Sequence, residues 1–170
     1  MLRRIAVMKL AFLVAVAAAL TIGFGAAAGR AGLHASVVVP KCPAHAPKFE
    51  ATLGTSTPFV RPNAQYIRLC RYYKNNWATG QTLWKQRTFN QKTILTPLTH
   101  AFNRLKEPPR GIFCVKDDGS EMQLIFAYSG SRPERVTVKL SGCRFASNGK
   151  AVRSTTSWLH KKLLSLSNSK

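Results

Sequence analysis

The sequence predicts an α+β fold: an antiparallel sheet of about four strands with two helices packed on it, stapled by disulfides. Three observations carry the prediction. Two stretches read as pairs of strands around turns, two others repeat apolar residues at helical spacing, and all four cysteines lie beyond residue 40. At 170 residues the chain is long enough for one such domain.

The elements follow in chain order. Arg3, Arg4 and Lys9 precede "LAFLVAVAAALTIGFGAAAG", residues 10 to 29, which carry no charge. A basic start followed by an apolar run is the pattern of a secretory signal, and Ala26 and Ala28 offer an A-x-A cleavage site. The same run is just long enough to cross a hydrocarbon core of about 30 Å, so residues 1 to 28 read as a cleaved signal or a retained anchor. Both readings export the rest of the chain, either secreted or tethered to the outer face of the plasma membrane by residues 10 to 29.

Residues 29 to 64 are expected to form a Pro-rich linker. Pro40, Pro43, Pro47, Pro58 and Pro62 break any helix, and Cys42 is placed to tie the segment to the body. Residues 65 to 170 then form the globular domain. "AQYIRLCRYYKN" and "QTLWKQRTF" have strand composition, with "KNNWATG" as the turn of a hairpin. Ile67, Leu69 and Tyr73 share one face of the first strand, but so does Arg71.

"TPLTHAFNRLKEPP" predicts a helix capped by Thr96, with Pro97 at its first position and Pro108 and Pro109 beyond its end. Leu98, Ala101, Phe102 and Leu105 make one apolar stripe. A second hairpin follows. Met122, Leu124, Phe126 and Tyr128 alternate on one strand and Val136, Val138 and Leu140 on the other, with "SGSRPE" between them. The tail places Trp158, Leu159, Leu163 and Leu166 at helical spacing behind hydroxyl caps.

An even cysteine count in an exported chain favours two disulfides, with three connectivities open for Cys42, Cys70, Cys114 and Cys143. Cys114 and Cys143 bracket the second hairpin, whose strand ends lie near each other, so their pairing is favoured and leaves Cys42 with Cys70. Closing that loop of about 30 residues is worth roughly 3–4 kcal/mol on a chain-entropy argument.

Charge and chemistry narrow the function. Of 26 basic residues only Arg3, Arg4, Lys9 and Arg30 fall in the first 30, and all six acids fall after them, so the exported part carries a net +16. Such a field favours anionic partners, namely cell-wall polymer or a membrane surface; export makes nucleic acid a poor partner. Arg68, Arg71, Lys74, Lys85 and Arg87 are interleaved with Tyr72, Tyr73, Trp77 and Trp84, a pattern suited to holding anionic groups. No catalytic residues can be assembled: the acids are too few, and none of the four histidines accompanies an activated Ser or Cys. Neither P-loop nor GxGxxG is present, and no Cys/His spacing suits a metal, so the sequence assigns no enzyme activity, cofactor or metal.

"LCRY" at 69 to 72, "DDGSE" at 117 to 121 and "VTVKLSGCRFASNGK" at 136 to 150 resemble small exported actinobacterial proteins with a C…DGS…hairpin…GCR…NG pattern. That group has no assigned activity, so the resemblance implies none. The helix followed by a cysteine-bracketed hairpin is also similar to the secreted subtilisin-inhibitor family. That likeness implies a protease as partner and a binding loop near Val115 and Lys116, although the family's earlier paired cysteines are missing here.

Overall fold

A computed structural model describes residues 36–50, 52, 54–74, 81–114 and 117–169. The signal or anchor read in residues 1 to 28, Trp77, and the loop positions Val115 and Lys116 lie outside the described residues. The elements run β1 (Tyr66–Lys74), β2 (Gln81–Phe89), α1 (Lys92–Asn103), β3 (Glu121–Tyr128), β4 (Ser131–Lys139), β5 (Phe145–Ser147), β6 (Val152–Ser154) and α2 (Ser157–Asn168). The strands form one antiparallel sheet in the order β2-β1-β3-β4-β5-β6. The fold is therefore α+β as expected, but with six strands rather than about four. The two extra strands are three-residue pieces around Asn148–Gly149, too short to show a period of two.

Matched hydrophobic faces set the register. Ile67 of β1 stands opposite Phe126 of β3, and Leu69 opposite Leu124; Val136 and Val138 of β4 continue the row across Leu124 and Met122. Both helices cover this face, contributing Leu95, Leu98 and Phe102 from α1 and Leu159, Leu163 and Leu166 from α2 to one core. Phe102 sits at its centre, stacked on Phe59 at 6.3 Å and edge-on to Phe126 at 5.8 Å.

Two helix details depart from expectation. α1 starts at Lys92, a turn before Thr96, so Pro97 lies inside the helix. The longer helix buries Leu95 beside Leu98, which extends the apolar stripe, while Pro97 points its ring to solvent. Trp158 of α2 is 51% exposed, whereas its neighbour Leu159 is fully buried. Adjacent helical residues point about 100° apart, and Leu163 and Leu166 share Leu159's side. Thr156 caps this helix, its Oγ1 accepting from the Leu159 amide at 3.1 Å.

The turn of the second hairpin is also tighter than "SGSRPE". Only Ser129 and Gly130 separate the strands, because Gly130 at φ +63° makes the reversal. The strand then resumes at Ser131, where Arg61 reaches over to Ser131 Oγ, the Arg132 carbonyl and Glu134.

The other face of the sheet is covered by residues 40 to 50 of the Pro-rich segment, whose later part, with Phe59 and Val60, joins the helix-side core. Arg68 donates to the Pro40 carbonyl at 3.0 Å, and the Tyr72 hydroxyl to that of Pro43 at 3.1 Å. Ala44 and Ala46 exchange backbone hydrogen bonds with Leu83 and Gln81 along the edge of β2. Cys42–Cys70 anchors this strap with Cα atoms 5.7 Å apart, and a small cluster of Cys70, Tyr72 and Ile125 packs beneath it. Cys114–Cys143, at 4.9 Å, ties the approach to β3 to the exit from β4. Both pairings are those favoured from the sequence. Covered on both sides, β3 buries Glu121 and Gln123 as well as its apolar residues.

Candidate functional site

β1 changes character along one face. Ile67 and Leu69 lie under the helices, then Arg71 and Tyr73 emerge beyond the core, so one strand face passes from apolar to cationic and aromatic. In β2 a bulge does the rest. Arg71 pairs with Lys85 and Tyr72 with Leu83, leaving Trp84 as an extra residue with no partner in the ladder.

The side chains gather around that indole. The Arg71 guanidinium lies 4.7 Å from the Trp84 ring centre and Lys85 Nζ 4.4 Å, while the Tyr73 ring stands 6.3 Å away. Trp84 and Tyr73 are each about half exposed, at 53% and 51%. Arg71 is also held by the last turn of α2, its Nη1 donating to Ser167 Oγ and Asn168 Oδ1, both at 3.1 Å. A cation suits that helix end. Partial burial lowers the pKa of Arg71, but a guanidinium stays charged at any physiological pH.

The five candidate cations do not form one patch. Arg71 and Lys85 share Trp84. Arg68 faces the strap and is bonded to Pro40 and Thr88 Oγ1. Arg87 lines a cleft of about 490 Å³ with Arg68 and Lys41. Lys74 closes β1 opposite Gln81. Three ion pairs occur among the described residues, Arg61–Glu134, Lys139–Glu121 and Arg153–Glu107, and none uses Arg68, Arg71, Lys85 or Arg87.

Elsewhere several titratable groups have structural partners. Glu134 binds Arg61 at 2.7 Å and accepts from the Tyr128 hydroxyl. Burial, then the Glu134 contact, raises the Tyr128 pKa. Burial also pushes Tyr72 up to about 12, with the charge of Glu121 adding to the shift. His45 and His100 are exposed, and His160 Nε2 lies 3.0 Å from the Leu140 carbonyl. Among the described residues no three His, Cys, Asp or Glu side chains come together as a metal site. The arrangement at Trp84 can hold charge and stack.

Sequence reasoning did not reach the polar groups under the strap, Gln123 foremost. Its alternation with Leu124 marked it as the solvent side of a strand, and only the folding back of the Pro-rich segment covers it. Comparisons with protein-family models, curated proteins and solved structures find no match to this chain.

Proposed function

We propose that this is an exported, non-enzymatic basic domain that holds an anionic partner, wall polymer or membrane surface, at the cell envelope. The observation that carries the reading is the cluster at the end of the first hairpin: Arg71 and Lys85 on a half-exposed Trp84, with no carboxylate paired to either among the described residues. The net +16 beyond residue 30 supports it by drawing anions to the surface, and the two disulfides support an oxidising compartment. Each cation–π contact contributes about 0.5–1 kcal/mol at such exposure, enough to pre-order the cations but not to bury them.

The test is retention on an immobilised anionic polysaccharide and on anionic against zwitterionic lipid vesicles, at low and high salt. Binding is expected to the anionic surfaces only and to fall steeply with salt. Lys85→Gln, which leaves the α2 contacts of Arg71 intact, is expected to weaken it about threefold to tenfold. Equal binding to neutral surfaces, or no change in Lys85→Gln, would sink this reading.

A further inference from the structure

Antiparallel pairing brings a terminus of every strand to one end of the sheet. β1 closes opposite the start of β3, Tyr72 facing Glu121, and β4 closes opposite that same Glu121 at Lys139. β2 begins beside the end of β1, and β5 begins beside the end of β6, with Phe145 opposite Ser154. Exposed apolar side chains gather at this end. Tyr73 and Trp84 stand where β1 closes and β2 begins. Ile112, 46% exposed, and Phe113, 93% exposed, run into Cys114, which its bridge to Cys143 holds at the exit from β4. Trp158 lies in the first turn of α2, a helix fixed here at its start by the Thr155 amide on the Arg144 carbonyl and at its finish by Arg71. Six large apolar side chains are exposed among the described residues, and only Val38, on the strap, falls outside this group.

Single exposed apolar residues are ordinary, but five at one end of a molecule mark a contact surface. Their neighbours give its chemistry. Arg71 and Lys85 lie over Trp84. Arg144 is exposed across the disulfide from Phe113, and Lys161 is exposed one helical turn beyond Trp158. The nearby carboxylates are engaged within the chain: Glu121 is buried against Lys139, Glu107 faces Arg153, and Asp117 and Asp118 accept from the amides of Gly119 and Ser120. Apolar and cationic groups therefore alternate along this end. An anionic polymer of the wall offers charge but no apolar phase to receive Ile112 and Phe113. A bilayer with anionic headgroups offers both, and Trp and Tyr settle at the boundary between them.

We propose that this end of the protein docks on an anionic lipid bilayer. Ile112 and Phe113 enter the boundary between headgroups and acyl chains, Tyr73, Trp84 and Trp158 lie at headgroup level, and the neighbouring cations meet lipid phosphates. The proposal rests on the envelope-binding reading and selects its membrane over its polymer.

Tryptophan fluorescence reads the docking, since all three tryptophans lie beyond the apolar run of residues 10 to 29. The exported, disulfide-bonded protein is titrated with vesicles of phosphatidylglycerol and phosphatidylcholine, and with phosphatidylcholine alone, each brominated on its acyl chains near the headgroup. Quenching is expected with the anionic vesicles only. Phe113→Ser should raise the lipid needed for half-maximal quenching about fivefold to tenfold, the scale of withdrawing one aromatic ring from an apolar phase. Phe113→Leu should restore most of the binding. Melting of both variants should match the parent, because the ring lies outside the core. Retention of Phe113→Ser on anionic polysaccharide should also be unchanged. Equal quenching by phosphatidylcholine alone, or a Phe113→Ser titration that overlays the parent's, would overturn the proposal. Retention on polysaccharide without quenching by any vesicle would overturn it and leave the envelope-binding reading standing; failure on both supports would sink the two together. Self-association of the parent that Phe113→Ser abolishes, without quenching, would assign this end to a second copy of the chain instead.

Discussion

Glu121 is the residue least expected in its place. It is 1% exposed, its Oε1 has no partner, and its Oε2 meets Lys139 Nζ at 3.0 Å. Burial raises its pKa, with the attraction of Lys139 acting the other way. The native state therefore keeps this proton to higher pH than the unfolded chain does. Its contribution to stability is largest below the ordinary value near 4.5, declines as pH rises toward the raised native value, and is level above that. Asp118 runs opposite. Hydrogen bonds from Ser120 and then Ser141 hold its pKa down, so its contribution is present above the ordinary carboxylate value and is lost as pH falls through the depressed one. Urea unfolding across about pH 3 to 8 separates the two. Glu121→Gln, which leaves Lys139 an acceptor, should remove the decline on the rising side; Asp118→Asn should remove part of the loss on the acid side. Parallel curves for Glu121→Gln and the parent would show that this carboxyl is not desolvated in solution.

At the scale of elements, the junction between strap and β5–β6 turn rests on Asn148. Its Oδ1 accepts from the amides of Lys150 and Ala151, and its Nδ2 donates to Ser56 Oγ and the Phe59 carbonyl. Asn148→Ala should cost about 2–3 kcal/mol in urea unfolding, since it orphans several partly buried groups at once. Gly54 guards the same junction from the other side: a Cβ there would collide with the Lys150 carbonyl. Gly54→Ala should cost about 1–3 kcal/mol, and the double variant less than the sum, because both sever one contact. A fully additive pair would mean that the strap meets the turn at two independent points.

This junction also shows where the sequence was readable. Long strands such as β3 and β4 announce themselves by period two, and α2 by its Leu159–Leu163–Leu166 stripe and Thr156 cap. β5 and β6 carry the Asn-Gly turn signal, but three residues a side cannot display alternation. Pro97 misplaced the start of α1 because proline is commonest at a first helical position, whereas here the burial of Leu95 outweighs one lost hydrogen bond. The site was legible in part. Arg71, Lys85, Tyr73 and Trp84 are named by composition, but a bulge decides that they meet, while Arg68 turns to the strap because β1 alternates and its other face is covered too. The burial of Gln123 was not legible at all, since residues 47 to 50 come near it only by the folding back of a segment without periodicity.

For the molecule as a whole, the two sheet faces are built differently, and one bond tests the difference. The helix face holds a continuous core of some twenty buried residues, whereas the strap face has the cluster of Cys70, Tyr72 and Ile125 with a few polar contacts. Cys42–Cys70, spanning 28 residues, is what makes the thinner layer persist. Replacing both cysteines by alanine removes a loop constraint worth about 3–4 kcal/mol on the chain-entropy argument, and that loss should fall mainly on the strap. Limited proteolysis is therefore expected to cut within residues 36 to 50 while the sheet, its helices and Cys114–Cys143 stay intact. Arg71, Lys85 and Trp84 owe their positions to β1, β2 and α2, so retention on anionic polysaccharide should be unchanged. Loss of retention with the fold intact would place the anionic surface on the strap face, beside Lys41, Arg68 and Arg87, and would move the envelope contact away from Trp84.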